Sequence, residues 1–196
     1  MSVLVASQFL LWTAVIALGL LVIALARQIG VLHERIAPAG ALTLHQKKQV
    51  GDLAPEFELP SLSGSNIKIG GSRQGKSQLI FFLSPVCPVC KSLLPVLRSV
   101  ARAERRWVDT VLASDGSDEL QHQNMVKTFG LSDLPYVLSE QLGRSLGVSK
   151  LPYAVLIDEE GRIASLGLIN NREHLESLFE AKDRGVASIQ QYLARA

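Results

Sequence analysis

Hydrophobic positions along the chain fall into two regimes. From Ser2 to Ala26 no charged side chain occurs, and Val, Leu, Ile and Ala dominate. Written as a helix, that stretch spans roughly 37 Å, enough for a hydrocarbon core of ~30 Å with some tilt. It predicts a transmembrane anchor over residues 1–26, entering the membrane through 2–26. Two other readings stay open. Ala24-Leu25-Ala26 resembles a signal-peptidase site, although a basic n-region is missing and the apolar run exceeds the usual ~7–15 residues. The third reading is a buried helix of a soluble protein. Trp12 lies inside the run and is therefore not an interfacial anchor. Residues 27–50 read as a juxtamembrane helix and linker, broken by Pro38 and Gly40.

From Gly51 the pattern becomes that of a soluble domain, taken here as residues 51–196. Leu53–Leu62 carries Pro55 and Pro60 and reads as extended but irregular. Ser63-Gly64-Ser65-Asn66 predicts a turn before a short strand, Ile67–Ile69. The continuous apolar run Gln78–Leu83, ending in Ser84-Pro85, predicts a buried parallel strand. A helix is expected to open at Cys87 or Pro88 and run to about Arg105, followed by a strand at Trp107–Ala113. Ser117 and Asp118 are candidate caps for a helix Glu119–Phe129 that stops at Gly130. Tyr136–Leu138 predicts a short strand, and Glu140–Leu146 a short helix closed by Gly147. Tyr153–Ile157 and Ile163–Leu168 flank the turn Asp158-Glu159-Glu160-Gly161 as a β-hairpin. After Asn171 the chain is expected to be helical, with Leu175, Leu178 and Phe179 on one face. Gly185 weakens that helix before a last segment with Ile189 and Leu193. Strands alternating with helices, then a hairpin and a helix, define an α/β architecture with a mixed sheet flanked by helices.

Composition narrows the function. The formal net charge of +2 comes from interspersed acids and bases, and aromatics make up 6% of the chain. Neither a basic nucleic-acid surface nor a base-stacking platform is present, so no nucleic-acid partner is expected. Arg98, Arg102, Arg105 and Arg106 read as an exposed helical face. The charges of Asn170–Ala181 read as a solvated helix face, with partner docking as the sharper alternative.

Both cysteines of the chain sit within four residues, Cys87-Pro88-Val89-Cys90. In the chain-entropy account a disulfide closing so small a loop contributes only about 2 kcal/mol, against ~4.7 for a 100-residue loop. Zinc would need further ligands, and His33, His45, His122 and His174 show no ligand spacing, so no metal and no cofactor beyond the cysteine pair is expected. Two buried structural thiols and a structural disulfide remain as alternatives. Redox exchange explains the spacing better. It needs one reachable thiolate and a second thiol close behind it. At a helix start, unpaired N–H groups and the dipole favour the thiolate of Cys87. Cys90 then lies one turn further on, and Pro88 suits the first helical position.

These residues resemble the thioredoxin superfamily. Ile80 to Pro95 is similar to its active-site strand and helix, with Val89 between the cysteines, Lys91 after the second, and Pro95 where the family's helix has its kink proline. The resemblance gives Pro152, preceded by Leu151, the place of the family's cis-proline, which shapes the substrate groove. Gly51-Asp52-Leu53-Ala54-Pro55-Glu56-Phe57 is similar to the membrane-tethered, periplasmic branch. Two departures stand out. Val86 replaces the family's Trp before the first Cys, and Phe81 replaces its buried Asp. The usual proton acceptor is thereby missing, and Glu104, Glu119 or a water are the substitutes considered. Pro88 matches the oxidising enzyme DsbA, whose next residue, His, is Val89 here. The Cys87 thiolate is accordingly expected below the free-thiol value of ~8.5 and above the ~3.5 of that oxidant.

A narrower resemblance covers nearly the whole chain. The apolar N-terminus, Ser84-Pro85-Val86-Cys87-Pro88-Val89-Cys90-Lys91, and the stretch from Leu168-Ile169-Asn170-Asn171 to Ala181 are similar to the MauD family of methylamine-utilisation accessory proteins. It implies a thiol–disulfide oxidoreductase that forms or isomerises disulfides in the methylamine dehydrogenase small subunit during its maturation. It also implies the polytopic membrane protein MauE as electron acceptor. The domain is then periplasmic on a single-pass inner-membrane anchor, whereas Arg27, Arg35, Lys47 and Lys48, all following the apolar run, argue for the cytoplasmic side. The resemblance is the stronger argument. Competing functions are an anchored reductase, such as one preparing apocytochrome c for haem attachment, and a non-catalytic client-binding scaffold.

Overall fold

The computed structural model describes residues 2–35, 48–116 and 118–184, and the chain divides into two units, Met1–Leu44 and His45–Ala196. The first holds α1 (Ser2–Arg35), which continues through residue 26 without a break. Its side chains are described without interruption from Ser7 to Ile23, and the large apolar ones there are exposed. Among the described residues no helix is long and apolar enough to cross a membrane, so the span expected over 2–26 is not confirmed. Pro38, Gly40 and the rest of the expected linker up to residue 47 lie outside the described residues, as do Ser117 and the segment with Ile189 and Leu193.

The second unit contains β1 (Phe57–Pro60), β2 (Asn66–Ile69), β3 (Ser77–Phe82), α2 (Pro88–Glu104), β4 (Val108–Ser114), α3 (Glu119–Phe129), β5 (Tyr136–Leu138), α4 (Glu140–Ser145), β6 (Tyr153–Ile157), β7 (Ile163–Leu168) and α5 (Arg172–Asp183). A five-stranded sheet has the order β5-β4-β3-β6-β7. β3, β4 and β5 are parallel, and β6 and β7 add antiparallel on the other side. This is the thioredoxin-like α/β fold with a mixed sheet. β1 and β2 form a separate antiparallel hairpin.

β3 is central, and all its residues are buried. Its side chains alternate between two layers, as a strand requires. Leu79, Phe81 and Leu83 join a cluster with residues of α2, α3 and α5, whereas Ile80 and Phe82 pack with Ile69, Leu142 and Leu146. A strand covered on both faces reads as an uninterrupted apolar run, which is why Gln78–Leu83 was legible. α2 buries Cys90, Leu93, Leu94, Leu97, Val100 and Ala101, one stripe of a 3.6-residue period.

Asp118 caps α3 by accepting from the Gln121 amide, and Gly130 ends it in the left-handed region with φ 60°. The irregular stretch expected over 53–62 instead contains β1. Pro60 is tolerated because it is the last residue of a strand outside the main sheet. α4 stops at Ser145, with Leu146 as its cap and Gly147 following at φ 70°. In the turn after β6, Gly161 has φ +81°, and a Cβ there would meet the Gly71 carbonyl carbon at 2.8 Å. The turn thus requires glycine twice over.

Candidate active site

Cys87 occupies the cap position of α2 with extended backbone (φ −88°, ψ 110°), and Pro88 is the first residue of the helix. A tight loop delivers it: the Cys87 amide donates to the Ser84 carbonyl at 3.1 Å. Cys87 and Cys90 form a disulfide with their Cα atoms 5.2 Å apart, and the Cys90 amide donates to Cys87 Sγ at 3.1 Å. Burial separates their roles. Cys87 is half-buried, whereas Cys90 is 0% exposed. Lys91 and Val89 face solvent on the first turn, and Pro95 is exposed inside the helix.

Strand register brings the second part of the site to the same place. Phe82, at the end of β3, pairs with Tyr153, at the start of β6. Leu151 and Pro152 therefore lie at the sheet end from which the Cys87 loop departs. The Leu151–Pro152 peptide is cis; Pro152 is buried and Leu151 exposed. Tyr153 also pairs with Leu168, and the Ile169 amide donates to the Pro152 carbonyl at 3.1 Å.

That end of the sheet carries an apolar collar which sequence reasoning did not assemble. Val86 is 76% exposed and Leu120 72%, and Val89, Leu151 and Leu168 are also exposed. Each comes from a different loop or element terminus, so no local periodicity links them. The available signal was apolar residues beside the motif cysteines that no core position required.

The proton acceptors considered from sequence are not brought to Cys90. Glu104 lies 14 residues further along α2, roughly 21 Å by helical rise, where it accepts from Trp107 Nε1 at 2.6 Å. Glu119 is exposed in the first turn of α3 and accepts from Gln123. A buried polar pair that the sequence did not reveal is His122 and Tyr136, whose Nδ1 and hydroxyl share a 2.6 Å hydrogen bond. Burial lowers His122 from its ordinary value, against the opposing charges of Asp115 and Asp118. Burial raises Tyr136, opposed by a hydrogen bond with Ser114 and assisted by Asp115. The ring is thus neutral and the phenol protonated. Of the four arginines, Arg102, Arg105 and Arg106 are exposed, but Arg98 is half-buried and donates to the Phe129 carbonyl at 3.3 Å. Arg102 pairs with Asp133 at 3.4 Å. Among the described residues no cluster of three or more His, Cys, Asp or Glu is placed to hold a metal.

Residues 49–182 match the Redoxin family. With the mixed sheet and the cysteine pair at a helix start, that match defines the class: a thioredoxin-fold thiol–disulfide oxidoreductase. A solved thiol-disulfide oxidoreductase from Bacteroides fragilis shares the fold, with a TM-score of 0.57 at 20% identity over 66% of this chain and 98% of that one. Methylamine utilization protein MauD of Paracoccus versutus is 44% identical over 99% of this chain and 96% of its own length. The protein of that name from Methylorubrum extorquens is 46% identical over 98% and 93%. The chain belongs to the MauD family.

Proposed function

We propose that this oxidoreductase forms or isomerises disulfides in a periplasmic client, the methylamine dehydrogenase small subunit, while tethered to the inner membrane through residues 2–26. The observation that carries the reading is the unequal burial of the bonded pair. A client thiolate reaches Cys87 Sγ, the Cys87–Cys90 bond breaks, and the client is held as a mixed disulfide until a second thiol releases it. Cys87 is the exchanging sulfur and Cys90 the resolving one. Leu151 and Pro152, with the collar of Val86, Val89, Leu120 and Leu168, form the groove for the client segment. Pro88, Val89, Lys91 and Pro95 belong to the helix that presents Cys87.

The anchor is supported by the uncharged run Ser2–Ala26 and by the exposed apolar side chains along α1. Tethering raises the effective concentration of membrane partners without any added contact. The electron acceptor proposed is MauE.

Trapping tests the reading. Cys90→Ser is expected to accumulate a mixed disulfide between Cys87 and the client in cells, and the Cys87→Ser/Cys90→Ser double variant is expected to lose client maturation. Maturation that survives in the double variant would overturn the catalytic reading in favour of a scaffold.

A further inference from the structure

Solvent reaches only one sulfur of the pair. Cys90 is 0% exposed and belongs to the apolar cluster of Leu79, Phe81, Leu83, Leu94 and Leu97. Yet each exchange changes its protonation. When a client thiolate bonds to Cys87 Sγ, the electron pair of the broken bond leaves on Cys90, which must then take up a proton. For Cys90 to attack back, that proton has to be lost again.

The ladder locates the buried groups with which it could exchange. Phe81 pairs with Leu112, and Leu112 with Tyr136, across β3, β4 and β5. All three side chains lie in the same layer as Cys90. Strands are about 4.8 Å apart, so the row places Tyr136 about 10 Å from Phe81. A hydrogen bond reaches about 3 Å. The His122–Tyr136 couple is moreover closed on itself. Charged groups on the surrounding elements point outward: Lys91 on α2, Asp115 after β4, Asp118 and Glu119 at α3, Glu173 and His174 on α5 are all exposed. Tyr153, at the head of β6, packs into the opposite layer. The position that β3 offers to Cys90's own layer is Phe81, with Ala154 paired to it from β6.

We infer that the apolar wall set by Phe81 keeps the buried Cys90 as a thiol, so that a mixed disulfide on Cys87 is released by the client's own second thiol and not by Cys90. The inference rests on Cys87 being the exchanging sulfur, and it gives that reaction a direction. Apolar burial disfavours a thiolate. Each tenfold loss of thiolate is offset only about threefold by the greater nucleophilicity of a more basic sulfur, so escape through Cys90 slows roughly threefold for each such step. Meanwhile the client's second thiolate attacks the client sulfur of the mixed disulfide. A client disulfide forms, Cys87 leaves as a thiolate, and the two electrons stay on the enzyme as Cys87 thiolate and Cys90 thiol. The same basicity makes Cys90 a slower leaving group, so loading is slow and commitment, once loaded, is high.

Stopped-flow reaction of the reduced full chain with 5,5′-dithiobis(2-nitrobenzoate) resolves the two sulfurs. The first thionitrobenzoate release is attack by Cys87, and the second is attack by Cys90 on the adduct. The second phase is expected to inflect above the free-thiol value of ~8.5. Phe81→Asp is expected to lower that inflection and speed the phase at least threefold at pH 7, whereas Phe81→Leu keeps the wild-type profile. A two-cysteine peptide is expected to leave Cys87 faster than its single-cysteine counterpart. A wild-type second phase inflecting at or below ~8.5, an unchanged profile in folded Phe81→Asp, or equal release of the two peptides overturns the inference. If Phe81→Asp does not fold, the wild-type profile and the peptide pair decide. Absence of the first phase would instead remove the reading of Cys87 itself.

Discussion

The Cys90 amide donates to Cys87 Sγ across 3.1 Å, so a hydrogen bond as well as a covalent bond joins the two ends of the first helical turn. The donor is one of the amides that a helix start leaves without an intrahelical partner. It remains in place when the disulfide is opened, because it belongs to the backbone. Charge on Cys87 then meets a directed N–H and the positive end of α2, both of which favour the thiolate. In Cys90→Ser, where only Cys87 can react, iodoacetamide alkylation is expected to inflect between ~3.5 and ~8.5. An inflection at or above the upper figure would mean that the helix start does not activate the sulfur.

His122 makes stability depend on pH. Its value in the fold is lowered, by burial first, while the unfolded chain keeps the ordinary ~6.5. The unfolded state therefore binds the extra proton on acidification. The contribution is fully present at neutral pH and is lost as pH falls below ~6.5 towards the folded value. One proton limits the slope to about 1.4 kcal/mol per pH unit. Urea midpoints at pH 7.5 and 5.5 should draw together in His122→Gln relative to wild type. If both proteins lose the same stability over that interval, His122 is not the group responsible.

A polar latch fastens α5 to the far side of the sheet. Glu159 Oε1 accepts from Lys182 Nζ at 2.7 Å and from Ser77 Oγ at 3.0 Å, and the Lys182 ammonium lies 4.9 Å from the ring centroid of Trp107. Burial alone would raise Glu159, but hydrogen bonds from Lys182, a backbone amide and Ser77, with the Lys182 charge, hold it below its ordinary value. Stability from this carboxylate is thus present above the ordinary range near 4.5 and lost as pH falls through the folded value. Glu159→Gln is expected to cost about 1–2 kcal/mol at neutral pH, discounted for partial exposure. Thermal unfolding followed by Trp107 emission measures it. A variant melting with wild type shows that the latch contributes nothing.

What could be read in advance follows from how local each signal is. β3, α2 and α3 announce themselves because burial on both faces, a helical stripe and an Asp/Gly pair of caps are written in consecutive residues. Cys87 and Cys90 are legible for the same reason, three positions apart with Pro88 between them. β1 was hidden by Pro55 and Pro60, whose backbone limits mask a strand that pairs only with β2. The His122–Tyr136 bond joins α3 to β5, and the approach of Pro152 to the Cys87 end of the sheet depends on the pairing of Phe82 with Tyr153. Only strand register supplies such relations, and register is not encoded in any short window.

The collar around Cys87 should govern the client and spare small reductants. Leu120 and Leu168 are exposed and do not fill the core, so replacing either by Ser is expected to change stability by less than about 0.5 kcal/mol. Covering a partly exposed leucine with an apolar client segment is worth about 1 kcal/mol, less than the 1.5–3 for complete burial. Each substitution should therefore slow capture of the client by about fivefold, and both together by more, provided one segment spans the two positions. Dithiothreitol, which needs only Cys87 Sγ, should reduce the disulfide at the wild-type rate. Comparing the two rates in each variant isolates docking from chemistry. Equal slowing of both would show that Leu120 and Leu168 act on the cysteine pair itself, and unchanged client capture would move the docking surface away from this end of the sheet.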